Sequence, residues 1–166
     1  MSAQSQTAMI YLGGWTISGI TEAQDGTPIV MNYTGSDTVG IAGGGNRPNL
    51  VSKVSYPKKT SAWFNKAAFA NPVAPWNGGS GQGFGSAGKD AVVGPGLFNW
   101  NLSLFKTIPF TERNNGPALE LRFESFNTFN HPSWTGLDNN SADANFGTVT
   151  SDFAPRVLEL GGKFTF

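Results

Sequence analysis

The sequence predicts an all-β protein, an antiparallel up-and-down meander of about five strands. Three observations carry this. Several long segments alternate apolar and polar side chains with the two-residue period of a strand half covered on one side. Charged residues make up only 13% of the chain, with 22 glycines and 10 prolines among 166 residues. That charge is about half the ~25% of an ordinary soluble domain, and the composition suits many strands joined by wandering loops rather than a helical bundle or a disordered chain. Between the alternating segments the chain offers either tight-turn signals or long stretches rich in glycine and proline.

The first strand is expected over Ala8 to Ala23, with Tyr11, Gly13, Trp15, Ile17 and Gly19 on one face and Gly14, Thr16, Ser18 and Glu22 on the other. Gln24-Asp-Gly-Thr27 reads as a tight turn, so Pro28 to Tyr33 is expected to return as the second arm of a hairpin. From Thr34 to Gly96 no period is sustained, and only Val39 to Ala42 and Val51 to Tyr56 suggest short strand pieces. Order returns at Leu97 to Phe110, where Phe98, Trp100, Leu102, Leu104, Ile108 and Phe110 share a face while Phe105 and Lys106 break the pattern. After a polar turn at Thr111 to Gly116, the strand at Ala118 to Asn130 sets Leu119, Leu121 and Phe123 against Glu120, Arg122 and Glu124. A second loop, Ser133 to Ala154, leads into the last strand, Pro155 to Phe166. There Leu158, Leu160, Gly162, Phe164 and Phe166 lie opposite Val157, Glu159, Gly161, Lys163 and Thr165. An aromatic residue at the carboxy-terminus is unusual, since chain ends ordinarily trail into solvent.

Charge and composition exclude several classes. Eleven basic residues balance eleven acidic ones, which leaves no net positive footprint for nucleic acid. With no cysteine and one histidine, His131, thiolate and multi-histidine metal sites are ruled out. No apolar run is long enough for a transmembrane helix, and Met1 to Ala8 lacks the basic start and apolar core of a signal peptide.

Loop lengths then narrow the fold. The connections between the five strands run short, long, short, long, and in a meander alternate connections lie at the same end. Short turns at one end and long loops at the other, joining alternating segments of about 10 residues, are the pattern of an outer-membrane barrel. Strands of about 9 to 11 tilted residues suffice to cross a bilayer. The chain therefore reads as a partial outer-membrane β-barrel with its long loops at one end.

Several segments resemble one family. Leu12-Gly-Gly-Trp-Thr-Ile-Ser-Gly-Ile20, Ala62-Trp-Phe-Asn-Lys-Ala-Ala-Phe-Ala70, Asn101-Leu-Ser-Leu-Phe-Lys106, Phe123-Glu-Ser-Phe-Asn-Thr-Phe-Asn-His-Pro132 and Leu160-Gly-Gly-Lys-Phe-Thr-Phe166 are similar to the carboxy-terminal part of TonB-dependent outer-membrane receptors. The resemblance is to the large type that carries an amino-terminal carboxypeptidase-regulatory-like domain, and it covers nearly all of residues 1–166. It implies energy-coupled uptake of a ligand by the intact receptor, in the outer membrane of a Gram-negative cell. It also implies that Glu159, Gly161, Phe164 and Phe166 form the assembly signal read by the barrel assembly machinery. Further implied partners are outer-membrane lipid, the remaining barrel strands and the plug, with TonB engaged only through an amino-terminal part. Such receptors close a barrel of roughly 22 strands, so about five strands, without plug or export signal, are expected to be a fragment of one.

Other chemistry has little support. Gly83-Phe-Gly-Ser-Ala-Gly88 has nucleotide-loop spacing, but Asp90 stands where a magnesium-binding hydroxyl belongs, and neither a strand before nor a helix after is indicated. Asp138, Asp143 and Asp152 lack the glycine and closing glutamate of a calcium loop. No catalytic residue, metal ligand or cofactor is assigned. Trp63, Phe64 and Trp76 are candidate loop contacts for a ligand, against the plainer expectation that loop aromatics pack on one another. The alternative function is a soluble β-sandwich that binds glycan through these aromatics.

Overall fold

The computed structural model describes residues 11–40, 46–79, 83–111 and 116–166. It separates into two compact units: Met1–Ala23, Phe98–Pro132 and Ala154–Phe166 form one, and Gln24–Leu97 with Ser133–Phe153 form the other.

The first unit is an antiparallel sheet of four strands, β1 (Trp15–Gln24), β2 (Leu97–Pro109), β3 (Ala118–Phe126) and β4 (Val157–Thr165), in the order β1-β2-β3-β4. It is an up-and-down meander, as expected, with four long strands in place of five. Registers are regular across the middle of the sheet. Leu104 pairs with Phe123 and Phe123 with Leu160, while on the other face Thr107 pairs with Glu120 and Glu120 with Lys163. Because the pleat is unbroken through 102–109, Phe105 and Lys106 do not interrupt it. Phe105 lies on the polar face with the Arg122 guanidinium 5.6 Å from its ring centre, and Lys106 falls on the apolar face. Arg122 also pairs with Glu120 at 2.6 Å, and Ser103 donates to Glu124 at 3.3 Å, so this polar face is knit by side chains.

Strand limits differ from expectation for local reasons. Ala8 to Ile10 lie outside the described residues. Tyr11–Leu12 are helical, and β1 begins only at Trp15, because Gly14 takes a φ of 71° that bends the chain in from the turn. A Cβ there would meet the Thr107 carbonyl oxygen at 2.3 Å, while the Gly14 carbonyl accepts from Thr107 N at 2.8 Å. Strand β3 stops at Phe126 rather than Asn130, since Asn127 and Asn130 adopt left-handed φ values of 50° and 51°, a conformation asparagine tolerates. The Asn127 side-chain oxygen then accepts from His131 N at 2.9 Å.

The expected hairpin from Ala23 to Tyr33 does not form. Pro28–Ile29 pairs with Val92–Val93 instead. Asp25-Gly26 serves close approach of a distant segment rather than a two-residue turn, as a Cβ on Gly26 would strike the Gly94 carbonyl oxygen at 1.8 Å. Nor are the short strands where expected. Residues 39–40 are a bend, 41–42 lie outside the described residues, and the strand near Val51–Tyr56 is Asn49–Leu50, paired with Phe69–Ala70.

These changes follow from the second unit, which gives the two long connections a common interior. Met31, Phe64, Ala68, Phe69, Val92 and Phe146 form its buried core with Trp63 and Ala87. Phe64, Phe69 and Phe146 meet edge to face with centroids 5.2 to 5.7 Å apart, and Trp63 meets Trp134 the same way at 5.7 Å. Backbone bonds tie the two connections together: Trp63 N donates to Gly147 O at 2.9 Å and Val149 N to Thr60 O at 2.8 Å. Phe146→Ala should therefore cost about 3–5 kcal/mol of this unit's stability. Hydrogen exchange of Trp63 N and Val149 N measures it, and unchanged protection of both would contradict a shared core.

A core-free sheet, an edge strand and a loop unit

The sheet holds a surface with no protein interior behind it. Every buried apolar side chain among the described residues belongs to the loop unit, and strands β1 and β4 are exposed along their whole lengths. On one face of the sheet Ile17, Leu102, Leu104, Ile108, Leu119, Leu121, Phe123, Leu158 and Leu160 form an apolar field broken by Lys106, and Leu160 is 85% exposed. A monomer in water rarely carries so large an exposed apolar patch. The soluble sandwich finds no support here, because a sandwich buries one face of each sheet against the other.

Aromatic rings bound this field at both ends. Near one end Phe98, Trp100 and Phe129 pack at 5.6 and 6.5 Å, and at the other Phe110, Phe164 and Phe166 pack at 5.9 and 6.3 Å, with Trp15 on the same rim. From Trp100 to Phe110 is ten residues, or ~33 Å along the strand. A tilt of about 40° reduces this to a height of about 25 Å, that of the apolar band between the aromatic girdles of a membrane barrel. The strand periodicity is readable in the sequence, but a reading by period alone misses the girdles. Their signal is aromatics clustered at both ends of the apolar face, with Phe123 the one ring in its middle among the described strand residues.

Strand β4 is an edge, bonded to β3 on one side only. Of the four residues expected to signal assembly, Phe164 and Phe166 project from the apolar face and stack at 6.3 Å, and Phe166 is 96% exposed. Glu159 and Gly161 lie on the polar face opposite Glu124 and Arg122. A Cβ on Gly161 would stand 3.7 Å from the Arg122 Cβ, an ordinary contact, so packing within this sheet does not require glycine there. All four are thus brought onto one unpaired edge, two on each face.

The three candidate loop contacts divide. Trp63 and Phe64 are 7% and 1% exposed. Their rings form the core of the loop unit and offer no face to a ligand, because the second long connection covers them; the Trp63 indole N–H is also taken by the Val93 carbonyl at 2.9 Å. Trp76 is 61% exposed and remains available. Phe84, also exposed, lines a shallow cavity of about 260 Å³ with Asn49, Pro72, Val73 and three glycines, none of them charged. The glycine loop at Gly83 serves close backbone packing, since a Cβ there would strike the Thr38 carbonyl oxygen at 1.8 Å. Asp138 caps the Asn140 amide at 3.1 Å, a turn role.

A sequence profile described as "Outer membrane beta barrel domain" matches residues 1–159. No curated protein and no solved structure matches the chain.

Proposed function

The chain belongs to the outer-membrane β-barrel domain family and resides in the outer membrane, and on that premise we propose that it is the carboxy-terminal part of a TonB-dependent receptor. In the intact protein it would serve energy-coupled uptake of a ligand. Four strands cannot close around a lumen, since the smallest closed barrels need about eight, so further strands complete the barrel. The observation that carries the receptor reading is the loop unit. Both long connections leave the same end of the meander and share one aromatic core, which supports a prebuilt outer surface rather than loose loops around an open channel. Trp76 and the uncharged cavity at Phe84 are the proposed ligand-facing part of that surface. Strand β4 would meet the assembly machinery, and TonB would act through an amino-terminal segment beyond these residues.

The test is the size and company of the native product. An antibody against the loop unit should detect, in outer membranes, a protein several times the 17.6 kDa of this chain, and that protein should be captured by immobilised TonB. A product of 17.6 kDa alone, with no TonB capture, would overturn the proposal.

A further inference from the structure

The loop unit holds a second cavity whose two walls carry opposite charges. It is open, with a volume of about 220 Å³, and is lined by Lys66, Phe69 and Asn71 from the first long connection and by Ser141, Asp143 and Phe146 from the second. Both walls are fixed by the fold. On one, Phe69 pairs with Leu50, and Val51 N donates to the Ala68 carbonyl at 2.8 Å. On the other, Ser141 N donates to the Asn32 carbonyl at 2.8 Å and Phe146 N to the Asp143 carbonyl at 3.2 Å. The Phe69 and Phe146 rings, edge to face at 5.7 Å, join the two walls through the core.

The two charges on this cavity, Lys66 and Asp143, are exposed and do not neutralise each other. Among the described residues the one ion pair is Arg122–Glu120, and the loop-unit stretches outside the described residues, 41–45 and 80–82, contain no charged residue. An ammonium and a carboxylate that share a cavity over aromatic carbon without pairing are the complement of a zwitterion. The Asn71 amide adds both a donor and an acceptor. Sites for drug-sized ligands run from roughly 300 to 1,000 Å³, so this smaller one suits a molecule the size of a single residue. We infer that the cavity binds a free α-amino acid with an apolar side chain, its carboxylate on Lys66, its ammonium on Asp143 and its side chain against the rings of Phe69 and Phe146. The inference stands on the loop unit alone and goes beyond the receptor reading.

The test uses the full chain purified from outer membranes in a non-ionic detergent, with affinities taken from saturation-transfer NMR titrations. Wild type should bind leucine in the millimolar range. Lys66→Met and Asp143→Asn should each bind it roughly tenfold more weakly, the effect of losing one charge-assisted hydrogen bond. The ligand's own charges give the cross-check. Leucinamide, which lacks the carboxylate, should bind Lys66→Met as well as it binds wild type, and N-acetylleucine, which lacks the ammonium, should bind Asp143→Asn as well as it binds wild type. Lys89→Met, which alters a lysine of the same unit away from the cavity, should bind leucine as wild type does. A misfolded variant would lose all three ligands, and the wild-type comparison then decides, with leucine expected to bind most tightly. No binding of leucine by wild type, undiminished binding by either folded cavity variant, or N-acetylleucine or leucinamide bound by wild type as tightly as leucine would overturn the inference. Each of these results leaves the receptor proposal to be decided by TonB capture, and leucine binding without TonB capture would keep the inference and remove that proposal.

Discussion

Leu160→Arg should destabilise the protein folded in a bilayer by about 2–4 kcal/mol, the cost of a basic residue near the midplane of a barrel's lipid face. Leu160 sits in the row with Phe123 and Leu104, midway between the two aromatic rims. The size of the effect is diagnostic because the side chain is 85% exposed, and an exposed leucine in water can be exchanged for arginine within about 0.5 kcal/mol. Ser103→Arg, one residue along β2 and on the polar face beside Glu124, should stay within that smaller range. Urea unfolding from lipid vesicles, with the slope held constant, measures both. Equal effects at positions 160 and 103 would mean that the two faces meet the same solvent.

Phe166→Ala should lower the amount of protein assembled in the outer membrane by about 30-fold, the effect of removing an aromatic hot spot worth about 2 kcal/mol. The unfolding free energy of the protein that does assemble should barely move. The contrast follows from position. Phe166 is 96% exposed and stacks on Phe164, so it contributes little to the finished sheet. An unpaired edge, however, pairs with another sheet through its backbone and is recognised through alternate side chains. Quantitative blotting of outer-membrane fractions reads the first effect and urea unfolding the second. Undiminished assembly of Phe166→Ala would remove the signal from the account, and a large loss of stability would make the ring a structural one.

What was legible in the sequence and what was not divides along the same physical line. Strands β2, β3 and β4 lie within one to four residues of the expected limits, because a surface that meets one medium on each side imposes a strict period of two. The loop unit obeys no such period. Its core joins Met31, Phe64 and Phe146, far apart in the chain and carried on segments with almost no regular structure. Local pattern therefore leaves Trp63 and Phe64 open between a ligand and mutual packing and sends Pro28 to a hairpin, when a distant segment in fact covers the rings and pairs with the strand. The expectation that loop aromatics pack on one another holds for those two rings and fails for Trp76. Lys106 looks like an exception to the alternation, and only the register shows it seated on the apolar face.

The most direct test is a cysteine scan of β3 with the protein in its membrane. The chain has no cysteine of its own, so single substitutions at positions 119 to 124 report one site each. With a membrane-impermeant maleimide admitted to both sides, cysteines replacing Glu120, Arg122 and Glu124 should label, while those replacing Leu119, Leu121 and Phe123 should label only after detergent is added. Uniform labelling of all six before detergent would show that water, and not lipid, covers the apolar face.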